Sequence, residues 1–303
     1  MVNAIVPTSK RVRANGLEHH VLEWPAAGVA PRGRGWGGTA SNVFLVHGYM
    51  DAGQTWDGVA PRLAAGGLRV LAPDMRGFGD GARAPRGSYY HFADYIADLA
   101  DLVDALAPGE PVALVGHSMG GVITTLYAGA FPENVVRIAN LEGLGPPDNA
   151  FEDGPRRMRS WIQDVRAVRA RGEPAPIPRD DARRRLVTNH PTVPPEVVAG
   201  RLPHLVREVA DGGGEARVAW RVDPLHRTTS PVPFFAKLFV EFAKQITCPV
   251  LFVSGGAAGF HPADEEERLA AFARLERVEL EGAGHMLHWT RPAELAEHLL
   301  RFL

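Results

Sequence analysis

The chain has 303 residues, 45% of them apolar and 22% charged, enough apolar material for a core that needs neither disulfides nor a structural metal. Its 33 basic and 35 acidic residues leave a formal charge of −2, which gives no sign of a nucleic-acid or anionic-membrane partner. Cys248 is the single cysteine, so no internal disulfide can form, and no stretch approaches the ~20 apolar residues of a membrane span. No basic segment followed by an apolar run opens the chain, and the expectation is a cytoplasmic protein.

The first predicted element is a hairpin, with strands at 10–13 and 17–24 around Asn15-Gly16. A Gly- and Arg-rich loop follows at 31–39; its glycine spacing matches no phosphate loop. Five short apolar runs then read as buried parallel strands, at 43–46, 70–72, 111–115, 135–141 and 250–253, because they lack the alternation of a half-exposed strand. Helices are predicted between them. Residues 92–106 place Ile96, Leu99, Leu102, Val103 and Leu106 on one face, and 122–131 form a second helix. Alternating strand and helix predict a mostly parallel sheet flanked by helices.

The alternation stops at Pro146 and resumes near Cys248. Between them the chain is rich in Pro and Arg, with predicted helices at 156–171 and 195–209 and one strand at 216–222. The expected organisation is a core of residues 1–145 and 246–303 and a mainly helical insertion, residues 146–245. Arg156, Arg157, Arg159, Arg183, Arg184 and Arg185 read as a solvated face, and Arg221 is expected to pair with Asp223. Trp161, Trp220, Phe234, Phe235 and Phe239 are expected mostly to pack the insertion's own core, with one or two lining a pocket.

The chemistry concentrates at Gly116-His117-Ser118-Met119-Gly120-Gly121, between a predicted strand and a predicted helix. Gly-x-Ser-x-Gly in that context raises a serine hydroxyl above the sheet on a strained turn. The hydroxyl needs a base to become a nucleophile. His285, on a loop after the predicted strand 277–280 and before a final helix from Pro292, would reach the same sheet edge; His288 is its competitor. His117 is expected to point away from Ser118, and His47 to brace its own loop.

With His47-Gly48-Tyr49-Met50 and Asp74-Met75-Arg76-Gly77-Phe78-Gly79, these segments make nearly the whole chain resemble the α/β-hydrolase fold family. The resemblance implies an inserted cap at 146–245, oxyanion-hole amides from Tyr49 and Met119, and a structural role for the Asp74 turn. Many relatives carry the third catalytic residue, an Asp, just past the strand that here ends at Val253, where this chain reads Ser254-Gly255-Gly256-Ala257-Ala258-Gly259. Another branch, seen in some haloalkane dehalogenases and serine-hydrolase-like proteins, carries the acid one strand earlier, where Glu142 stands; Glu142 is the candidate and Asp264 the alternative.

The implied activity is hydrolysis of a small carboxylic ester or similar acyl substrate through an acyl-serine, with no metal or organic cofactor. A lactonase, thioesterase or C–C bond hydrolase on the same residues, or a weakly catalytic ligand receptor, are the alternatives. Epoxide hydrolases and dehalogenases of this fold use an aspartate where Ser118 stands.

Overall fold

The computed structural model describes residues 5–28, 41–209 and 216–303, so the Gly- and Arg-rich loop at 31–39 lies outside the described residues. Strands β1 (Thr8–Ala14) and β2 (Leu17–Trp24) form the hairpin. Asn15 and Gly16 both take positive φ, 45° and 72°, as the tightest two-residue turn demands. Then come β3 (Asn42–Val46), α1 (Ala60–Ala65), β4 (Arg69–Pro73), α2 (Phe92–Leu106), β5 (Val112–His117), α3 (Met119–Ala130) and β6 (Val135–Leu141). Helix α3 begins three residues before the apolar periodicity does, directly after Ser118.

The segment after β6 contains α4 (Gly154–Arg171), β7 (Ile177–Pro178), α5 (Arg179–Asn189), α6 (Pro195–Leu205), β8 (Val206–Val209), β9 (Arg217–Trp220) and α7 (Ala236–Ala243). Strands β7, β9 and β8 pair into a small antiparallel sheet. The helix predicted over 195–209 therefore stops at Leu205, because residues 206–209 pair with β9, Val206 opposite Trp220 and Val209 opposite Arg217. The chain closes with β10 (Val250–Ser254), α8 (Glu265–Ala270), β11 (Leu275–Glu279), α9 (Leu287–Thr290) and α10 (Pro292–Phe302).

The main sheet runs β1-β2-β4-β3-β5-β6-β10-β11, parallel from β4 onward with the hairpin antiparallel at one edge. Apolar layers cover both faces. Val112 and Leu114 of β5 join Leu99, Ile123 and Phe239 on one side; Ala113 and Val115 join Trp56, Leu63 and Leu295 on the other. Burial on two faces is why the strands read as continuous apolar runs. Each large side chain so enclosed contributes roughly 1.5–3 kcal/mol of transfer free energy.

A third, smaller core joins Leu186, Val198, Leu202 and Val218 to Met286 and Trp289 near the end of the chain. Of the large aromatics expected there, Trp220 packs against it, whereas Phe239 packs into the core beside α3 and Phe234 faces Gly145 and Phe92. Arg157 is half-buried and donates to Asn149 and the Ser230 carbonyl, so it does not belong to a solvated face. Arg221 bonds Asp80, while Asp223 accepts from the Tyr90 hydroxyl and the Leu225 amide; the expected Arg221–Asp223 pair does not form. Among the described residues, no helix is long and apolar enough to cross a membrane.

Candidate active site

Ser118 sits between β5 and α3 at φ 51° and ψ −117°. That left-handed backbone costs on the order of 1–3 kcal/mol and persists because its surroundings over-determine it. The Ser118 amide donates to the Leu141 carbonyl (2.9 Å). A Cβ at Gly116 would lie 2.4 Å from the Gly120 carbonyl oxygen, and one at Gly120 would lie 2.1 Å from that of Val46. Only glycines let the strand and helix pass this closely around the serine.

The loop after β11 delivers His285, whose Nε2 stands 3.0 Å from Ser118 Oγ. Its Nδ1 stands 3.2 Å from Glu142 Oε2. Glu142 follows β6 at φ 53°, and its side chain is fully buried. The Gly255 amide donates to its Oε1 at 2.5 Å, and the Phe260 amide donates to Oε2. A Cβ at Gly259 would fall 2.2 Å from Oε1, so the Gly255–Phe260 turn is wrapped against the carboxylate. The turn where many relatives place their acid here supplies backbone donors to one. Asp264 pairs with Arg268 at the start of α8.

Three further histidines surround these groups. His117 donates Nε2–H to the His285 carbonyl (2.8 Å), its ring 4.9 Å from that of His285. Full burial pushes its pKa well below the ordinary histidine value, which keeps the ring neutral. His288, the competitor for the base role, lies behind it, with Nε2 3.0 Å from Asp51 Oδ2 and its ring 4.4 Å from that of His117. Sequence reasoning missed this Asp51–His288–His117 stack; its members are far apart in the chain, and no local spacing links them. His47 donates to the Gly48 carbonyl and accepts from the Met75 amide, tying the β3 and β4 turns together. Asp74 accepts from the Gly53 and Asp80 amides and bonds His20, as a structural turn would.

Tyr49 lies on the turn after β3, half exposed, its hydroxyl donating to the His226 carbonyl. Met119 is the first residue of α3, where amides have no intrahelical acceptor. The parallel sheet thus brings Tyr49, Ser118, Glu142 and His285 to the carboxyl edge of its strands, where open α/β sheets form their sites.

The sequence profile of the alpha/beta hydrolase family matches residues 43–298. The chain belongs to the alpha/beta hydrolase family. Two curated family relatives align over most of its length: a serine hydrolase-like protein of Dictyostelium discoideum, 25% identical over 91% of this chain and 79% of the relative, and epoxide hydrolase A of Mycobacterium tuberculosis, 25% identical over 98% and 97%. The fold also superposes on the crystal structure of a hypothetical protein of Pseudomonas aeruginosa PAO1 with a TM-score of 0.80, at 25% identity and 97% coverage of both chains.

Proposed function

We propose that this alpha/beta hydrolase is a serine hydrolase that cleaves a carboxylic ester or similar acyl substrate through an acyl-serine. The observation that carries the reading is the line of polar atoms from Ser118 Oγ through His285 to the Glu142 carboxylate, 3.0 and 3.2 Å per link. In this reading His285 takes the Ser118 proton as the oxygen attacks the acyl carbon. Glu142 holds the Nδ1–H tautomer and stabilises the imidazolium that forms. The Tyr49 and Met119 amides receive the developing oxyanion; as backbone donors they are in place before the charge appears. Histidine then returns the proton to the leaving group, and a water repeats the sequence to free the acid. Residues 146–245 act as the cap over this edge.

A serine at position 118 speaks against the aspartate chemistry of epoxide hydrolases, although one relative bears that name. The experiment is labelling with a fluorophosphonate followed by turnover of 4-nitrophenyl acetate. Wild-type protein should label and turn over, and Ser118→Ala should do neither. Labelling without turnover of any ester, thioester or lactone in a panel would point to a ligand receptor instead.

A further inference from the structure

The turn that carries Tyr49 borders a cavity whose formal charge is of one sign. It holds about 430 Å³, and Arg184, Arg185 and Arg227 line it with Thr188, Asn189 and Trp220, without an Asp or Glu. A second cavity, about 340 Å³, shares Tyr49, Met50, Asn189, Trp220 and Arg227 and extends to Asp51 and His190. The Asp51 carboxylate is already engaged by His288. The two volumes form one groove between α5 and the turn after β3.

Two of the four arginines that line these cavities already have carboxylates: Arg184 pairs with Asp181 and Arg221 with Asp80. Arg185 and Arg227 differ. Among the described residues, neither side chain has a hydrogen-bond or ion-pair partner, and both are exposed toward the groove they line. Arg227 stands close enough to Tyr49 for its charge to act on the phenol. The first cavity, where Arg185 and Arg227 stand, has no carboxylate in its lining; cations of one sign concentrate their field there, and a guanidinium fork matches a carboxylate or phosphate with two parallel hydrogen bonds.

We propose that this groove is an anion subsite: the substrate carries a carboxylate or phosphate remote from its scissile acyl carbon, and Arg185 and Arg227 hold it. The proposal rests on the hydrolase reading above, because Tyr49 both lines the groove and supplies an amide to the reacting carbonyl in that reading.

The test uses two matched pairs of substrates with the full chain. One pair is mono-4-nitrophenyl glutarate against the neutral 4-nitrophenyl 5-methylhexanoate; the other is butyryl-coenzyme A against the N-acetylcysteamine thioester of butyrate. In at least one pair the anionic member should exceed the neutral one in kcat/KM by about tenfold, the effect of one charge-assisted contact. That ratio should fall about tenfold in R185Q/R227Q, through KM, and fall also when salt is raised well above ~0.15 M. A preference confined to the glutarate pair places a carboxylate on the acyl side; one confined to the coenzyme A pair places phosphates on the leaving group. Anionic preferences near unity in both pairs, or ratios unchanged in R185Q/R227Q, overturn the proposal. Calorimetric titration with monomethyl glutarate and with coenzyme A separates the two readings. If no substrate turns over, the hydrolase reading fails, and the subsite stands or falls on whether R185Q/R227Q loses the binding seen in wild type; binding of neither probe overturns it.

Discussion

Glu142 reaches His285 from a backbone position that L-residues rarely adopt, with two amides and an imidazole around its carboxylate. If it orients the base, Glu142→Gln should cut turnover by up to about 10⁴ through loss of the tautomer and of imidazolium stabilisation. Asp264→Asn should leave kcat within about twofold, since the Asp264 carboxylate pairs with Arg268 at the N-cap of α8. Stopped-assay kcat of the two variants decides between them, and the reverse ranking would remove Glu142 from the mechanism. Ser118→Ala should cost on the order of 10⁴–10⁶ in turnover while moving the urea midpoint little, because one hydroxyl on a partly exposed turn is lost. Ser118 and His285 can be read from the chain because each sits in a local pattern of glycines beside an apolar strand. The grip on Glu142 cannot: it is made by the main-chain amides of Gly255 and Phe260, which carry no side-chain signature and lie more than a hundred residues away.

At the scale of elements, the β5–Ser118–α3 unit and the turn after β10 do different work. The first is rigid by exclusion, with glycines filling spaces where no Cβ fits. The second is a clamp, and its tightness is testable. Gly259→Ala puts a methyl 2.2 Å from Glu142 Oε1 at a backbone angle that any residue tolerates, so the protein should fold and the carboxylate should shift. A displacement of about 1 Å near reacting groups costs roughly 10²-fold, so kcat should fall by about that much with KM little changed. An unchanged kcat would mean that the turn does not position the acid. Elements buried on both faces are visible in the sequence as unbroken apolar runs, and α2 follows its apolar spacing from end to end. The end of α6 is not visible, because whether Val206–Val209 continues the helix or becomes strand depends on β9, which lies beyond it in the chain.

For the whole molecule, the contact between the segment after β9 and the turn after β4 carries a titration. His226 stacks on Phe78 and lies tilted against Tyr90, its ring 4.0 and 3.9 Å from theirs. Burial pushes its pKa down to about 3, so the folded protein holds it neutral. In the unfolded chain it titrates near ~6.5. Between those values the unfolded state binds the extra proton, so stability is full above about pH 6.5 and declines as pH falls toward 3. The slope is about 1.4 kcal/mol per pH unit for such a histidine, and His117, lowered in the same direction, adds to it. Urea midpoints should therefore drop from pH 7 to pH 4, and His226→Phe, which keeps a stacked ring without the titration, should flatten the profile. An unaltered slope in that variant would place the titration elsewhere.

In the proposed mechanism, the position of Glu142 also bears on how such a protein changes over generations. Glu142 precedes residues 146–245, and Ser118, Glu142 and the proposed oxyanion donors of Tyr49 and Met119 all lie within residues 49–142. The turn after β10 reaches the Glu142 carboxylate through main-chain amides, with Gly259 crowded against it, and sets the Phe260 ring edge-on to His285. Transfer of the acid to that turn would not be free. A chain holding both carboxylates against one imidazole would force them to share a proton, raising the pKa of one and weakening its hold on the base. A route between the two placements through such a chain passes through a weaker base, which favours keeping the acid at one strand end.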